Sequence, residues 1–167
     1  RRPADLLAFA AAGGAAVVYE GRCEAVGATP PADVVRRLAD RLAAASADEV
    51  VHTDRAADRF PELAAHPDTA AGVLAVAISK VHPSFVVWFR PEVVRTVTWG
   101  GNPAKGADAA GRIHPRKSFA AWQETVRGAS VPWRPAEVAA AADLRGDVVG
   151  IVLRRAEERA ALTAELE

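Results

Sequence analysis

Apolar residues in this chain come in short runs punctuated by glycine, proline and charged turns, and each run predicts an element. Leu6, Leu7 and Phe9 lie on an alanine-rich segment that reads as the end of an incoming helix, stopped by Gly13-Gly14. Ala15 to Tyr19 predicts a buried strand, Glu20-Gly21 a turn, and Arg22 to Gly27 a returning strand. Thr29 then caps a helix with Pro30 at its first position. Val34, Leu38 and Leu42 make the apolar face of that helix, and Arg36, Arg37, Asp40 and Arg41 its wet one. Val50 and Val51 suit a short strand, and Phe60 to Leu63 a short helix. Gly72 to Ser79, Ser84 to Phe89 and Val93 to Trp99 are apolar and β-branched, with short turns between them. They predict an antiparallel meander with Trp88 in its core. The expected fold class is α/β (α+β): an antiparallel sheet of about five strands flanked by helices, in the order β-β-α-β-β-β-α.

A last helix opens at Pro135, with Glu137 in its first turn, where a negative charge suits the helix dipole. It is expected to run over about 135–166, on the order of 45 Å at 1.5 Å per residue. Val148, Val152, Leu162 and Leu166 share heptad spacing, but Arg155 and Arg159 fall in the same seam.

The stretch from Val97 to Trp133 fits none of this regularity. A connection of roughly thirty residues between packed elements is normally functional. Three of the four tryptophans, Trp99, Trp122 and Trp133, lie in it, and large apolar groups on an excursion point to a docking surface. Phe119, Trp122 and Val126 recur with a helical period, whereas Ala120, Trp122 and Val126 share one face of a strand. Two patterns therefore fit one segment.

At 167 residues one domain is expected. Half of the residues are hydrophobic and a quarter charged, and Lys+Arg and Asp+Glu balance at 21 each, so no basic stripe points to nucleic acid. No apolar run approaches the roughly 18 residues of a membrane span, and no signal peptide is visible. One cysteine excludes an intrachain disulfide and suits a cytoplasmic setting. There is no methionine anywhere, which reads as a segment of a longer protein. His52, Asp54 and Asp58, and again His66 and Asp68, lack the tight spacing of metal ligands. Ser118 has no adjacent base except His114, and Gly100-Gly101 lacks the spacing of a phosphate loop. The chain reads as non-enzymatic and metal-free.

Trp99-Gly100-Gly101, then Pro115-Arg116-Lys117-Ser118-Phe119, then Trp122-Gln123-Glu124 stand in the order of the WGG, PRxSF and WxE motifs of one family. The chain resembles the PHY domain of bacterial phytochromes, and these motifs resemble its tongue. Trp88 to Glu92 and Asp68 to Ala75 also look like that family. The resemblance implies a single GAF-like domain over 1–167, with a tongue insertion at about 99–133 and a long C-terminal signalling helix. It implies that the tongue closes the bilin pocket of an adjacent GAF domain. It further implies that Arg116 pairs with an aspartate there, and that Ser118 replaces that contact in the other photostate. Pro115, Phe119, Trp99, Gly100, Gly101, Trp122, Glu124 and Trp133 complete the expected contact set. The bilin, expected to be biliverdin, belongs to the neighbouring domain and not to this chain. Cys23 reads as a small buried hydrophobe, because the family's bilin-attachment cysteine lies outside this domain. The implied partners are the GAF domain, an output module such as a histidine kinase reached through the last helix, and a second copy in a parallel homodimer. A GAF-like small-ligand sensor or a dimerisation module is the alternative.

Overall fold

The computed structural model describes residues 7–8, 10–45, 49–79, 83–99 and 122–164; for Trp99, 122–124 and 151–164 it describes the backbone alone. The incoming segment is helical at Leu7 and Ala8. It ends earlier than the glycine pair suggests. Ala11 takes a left-handed φ of 43°, the Ala12 N–H donates to Leu7 O at 3.2 Å, and the Ala11 N–H donates to Ala8 O at 3.3 Å. That is a Schellman-type stop built on alanine, where about 1–2 kcal/mol of backbone strain is accepted. Gly14 is thereby free to open the first strand.

Five strands form one antiparallel sheet: β1 (Gly14–Tyr19), β2 (Arg22–Gly27), β3 (Val50–Thr53), β4 (Gly72–Ser79) and β5 (Ser84–Arg90). Their order across the sheet is β2-β1-β5-β4-β3, so β2 and β3 are the edges. The fold class is as the pattern predicts, but the expected meander is not. The strand after Pro91, β6 (Arg95–Trp99), leaves the sheet and pairs with β7 (Trp122–Val126) in a separate two-stranded ladder. The reason lies in the sheet itself. β1 and β4 occupy the two edges of β5, so the chain leaving β5 finds no free edge. The fifth strand is instead the short β3, paired with β4.

Helix α1 (Ala32–Ala44) starts later than Thr29, with Pro31 at its N-cap. A residue before proline disfavours the helical region. Pro30 is therefore held extended by Pro31, and the helix begins beyond both. Its face Val34, Val35, Leu38, Ala39 and Leu42 packs on one side of the sheet with Val73, Phe85, Val87 and Phe89. Short helical pieces, α2 (Ala56–Arg59), a 3-10 turn (Pro61–Leu63) and α3 (Pro67–Ala70), close that layer with Phe60 and Leu63. Helix α4 (Pro135–Ala164) crosses the other side. There Leu74, Val76, Val86 and Trp88 meet Ala10, Trp133 and Ala141, with Val138 and Leu144 alongside. Arg145 pins α4 to the sheet: its Nε donates to Ala77 O at 2.7 Å and it pairs with Glu49 at 3.0 Å. With both faces covered, β4 and β5 are apolar at nearly every position, which is why their sequences run without polar alternation. Val148 is half-buried; Leu166 and the side chains of Val152, Arg155, Arg159 and Leu162 lie outside the described residues. Among the described residues no helix is long and apolar enough to cross a membrane.

Candidate functional site

The β6–β7 ladder carries the ends of the unusual stretch. Arg95 pairs with Val126, Val97 with Glu124, and Trp99 with Trp122 at the last step. The segment that fits both periodicities is a strand at Trp122–Val126. Gly100, Gly101, Pro115, Arg116, Ser118 and Phe119 lie outside the described residues. Trp133 is part of the domain body. It is 7% exposed, and its indole N–H donates to Thr53 O at 3.1 Å.

The return segment from Val126 to Pro135 is tied at Gly128, Ala129 and Ser130 to the turns beside the sheet. The Gly128 N–H donates to a Glu92 carboxylate oxygen, and Gly128 turns with φ 76°, a conformation open to glycine. The Val93 N–H donates to Ala129 O at 2.8 Å, and the Ser130 N–H donates to Asp54 O at 2.8 Å. Ser130 is 2% exposed and lies directly over Gly72, where any side chain would collide with it. No ladder partner is needed to hold this stretch; side chains and turn carbonyls do it.

Arg90, the last residue of β5, is the centre of the arrangement. It is 5% exposed. One terminal nitrogen donates to Val131 O at 3.2 Å and Pro132 O at 2.8 Å. The other donates to Ala10 O at 2.7 Å and pairs with Glu137 Oε1 at 2.9 Å. The guanidinium carbon sits 3.8 Å from the centre of the Trp133 ring. The two terminal nitrogens thus serve four acceptors, and Nε is left without a partner. A planar guanidinium suits this; a lysine presents three donors from one point.

Glu137 is 4% exposed and serves two tasks at once. Besides Arg90, it accepts the backbone N–H of Arg134 on Oε2 at 2.8 Å and the Arg134 guanidinium on Oε1 at 2.9 Å. The first contact is half of a capping box, closing the start of α4. Burial pushes its carboxyl pKa up, but the hydrogen bonds from Arg134 and Arg90 and the Arg90 charge outweigh that, and the net direction is down. The sequence marks this residue only as a dipole partner. Its ion pair is not legible there, and Arg90 enters only as part of the Trp88 to Glu92 stretch that looks like the family.

The remaining candidates separate from this centre. Cys23 is half-buried and packs against the α1 layer. Burial raises its thiol pKa and Arg36 lowers it, with burial prevailing. His52 and Asp58 are exposed, and the described residues contain no group of three or more potential metal ligands. The α1 side of the sheet is filled by Leu38, Leu42, Phe60, Phe85 and Phe89. An open surface cleft of about 330 Å³ lies between the β1–β2 turn and α1, beside Arg36, Asp40 and Pro83.

Comparison with known proteins fits this architecture. Residues 1–157 match the family model described as PHY, phytochrome region. Cyanobacterial phytochrome B of Nostoc sp. is 41% identical over 98% of this chain, and the phytochrome-like protein Cph1 of Synechocystis sp. is 36% identical over 99%. The chain spans 22% of the length of each. Among solved structures, a bacteriophytochrome from the photosynthetic bacterium R. palustris superposes with a TM-score of 0.77 at 38% identity, covering 92% of this chain and 31% of that one. The photosensory core module of Stigmatella aurantiaca phytochrome gives 0.75 at 39%, with the same coverages. With the model spanning nearly the whole chain and the identities above 30%, the chain belongs to the phytochrome family, as its PHY region.

Proposed function

We propose that this chain is the signal-relay domain of a red/far-red light photoreceptor. Its tongue, about 99–133, covers the bilin pocket of an adjacent GAF domain. Isomerisation of the bilin, taken to be biliverdin, is passed through the tongue to α4 and on to an output module, taken to be a histidine kinase. The parent is a cytoplasmic, parallel homodimer. The domain itself binds no bilin and catalyses nothing.

The observation that carries this reading is the pairing of Trp99 with Trp122. The residues matching the WGG and WxE motifs close one strand and open the other, so the motif-bearing excursion leaves and re-enters at one point. Arg116 and Ser118, between them, are two positions apart. They share a side on a strand and diverge by about 200° on a helix. A change of the tongue between strand and helix therefore exchanges which of them meets the GAF aspartate. Arginine is the residue for a directional, bidentate pair with that carboxylate. The filled α1 side of the sheet weighs against a small-ligand sensor.

Arg116→Ala in the full photoreceptor is the test. The expected result is altered formation or lifetime of one photostate with the domain still folded. Unchanged photoconversion and unchanged dark reversion overturn the role.

A further inference from the structure

We propose that Arg90 is the positioning residue through which the tongue root moves α4 relative to the incoming helix. The inference rests on the relay reading above.

The argument starts from where Arg90 stands. Its backbone belongs to β5, the middle strand, hydrogen-bonded on both sides. Opposite Gly72 in the register, it cannot drift without disturbing the sheet. Its side chain then reaches three segments far apart in sequence. Ala10 O is the carbonyl that precedes the left-handed stop of the incoming helix. Val131 O and Pro132 O belong to the segment returning from β7. Glu137 is in the first turn of α4. A positive group thus sits at the C-terminal end of one helix and holds a carboxylate at the N-terminal end of another, each favourable to the local dipole.

The return segment also runs into α4 covalently, only a few residues after Val131. Gly128, Ala129 and Ser130 tie the upstream part of the segment to Glu92, Val93 and Asp54, and Arg90 holds the part that follows. It fixes Val131, Pro132 and the Trp133 ring on the same guanidinium that holds Glu137. Both terminal nitrogens are engaged and belong to one rigid planar group, so a shift of the return segment is felt at the nitrogen that holds Ala10 O and Glu137. The fork has to turn, and Glu137 Oε1 turns with it. Glu137 Oε2 holds the Arg134 N–H, so the cap of α4 follows. Arg134 adds to the same carboxylate from the solvent side, its side chain 75% exposed, and is the weaker, screened partner.

The test uses the full photoreceptor with nitroxide labels at Ala8 and Asp147, both exposed. Two light-minus-dark signals are read in each variant: the infrared amide change of the tongue, and the Ala8–Asp147 distance distribution. Wild type is expected to show both. In Arg90→Lys the amide change is expected to persist while the distance change is lost. Glu137→Gln keeps an oxygen for the Arg134 N–H, and in it the distance change is expected to shrink without disappearing. Thermal unfolding of each variant guards against misfolding; if Arg90→Lys does not fold, Glu137→Gln alone decides. A wild-type distance change in a folded Arg90→Lys protein, or in Glu137→Gln if that variant decides, overturns the proposal and leaves Arg90 a structural residue. Absence of the amide change in wild type itself overturns the relay reading instead.

Discussion

Gly72 and Ser130 are in contact so close that a Cβ placed on Gly72 falls 2.0 Å from Ser130 Oγ and 2.8 Å from Ser130 Cβ. The start of β4 and the tongue return therefore touch without space for a methyl group. Gly72→Ala is expected to destabilise the domain by about 1–3 kcal/mol, the usual range for overpacking. The double change Gly72→Ala with Ser130→Gly removes both colliding atoms and should recover part of the loss. Urea midpoints of the two variants check it, and equal losses would place the strain elsewhere.

The Glu137 carboxyl carries a pH dependence of definite sign. Its folded pKa lies below the ordinary glutamate value, so its contribution is fully present above that ordinary value. It fades as the pH falls through the lowered, folded value. Thermal midpoints recorded from neutral to acid pH should fall more steeply for wild type than for Glu137→Gln in that window. Parallel curves would count against the assignment. At neutral pH, Glu137→Gln leaves Arg90 buried without its counter-charge, a loss of about 3–5 kcal/mol where one partner of a buried pair is removed.

Trp133→Phe keeps an aromatic face under the Arg90 guanidinium and removes the N–H that reaches Thr53 O. The expected loss is about 1 kcal/mol, that of one hydrogen bond, with a little more from the smaller ring. Denaturant unfolding measures it. A loss near that of a large core truncation would mean that the indole's volume, and not its hydrogen bond, is what matters.

Among the described residues the β6–β7 ladder has two strands, whereas β5 is paired on both sides. Two-stranded ladders are marginal in water. Amides of Arg95–Trp99 and Trp122–Val126 are expected to exchange with solvent faster than those of β4 and β5 in the isolated chain. Equal protection would mean that the ladder is rigid by itself, and the proposed tongue switch would need another origin.

The sequence made the core legible because burial leaves a periodic trace. Val34, Leu38, Leu42 and the run through Trp88 lie where their spacing put them. It did not reveal that β6 leaves the sheet, because residue pattern says how apolar a strand is and not which sheet edge is vacant. The start of α1 was misread for a local reason, the second proline after Thr29. Arg90 was illegible for a deeper one. Three of its four acceptors are backbone carbonyls, Ala10, Val131 and Pro132, which every residue type supplies. Only the folded chain brings them to one guanidinium. Motif order, by contrast, pointed to the excursion, and the ladder it predicts least is the one that frames it.

The two edges of the main sheet bear on how copies of this domain behave when crowded. A bare strand edge offers its free N–H and C=O groups to any other chain. Here one edge, β3, is only four residues long, and the other, β2, presents exposed Arg22 and Glu24. Short length and charge both discourage a neighbour from adding a strand. The sheet is thus guarded against growing from molecule to molecule into fibrous aggregates, and concentrated preparations of the domain should resist the β-rich precipitation to which open sheets are prone.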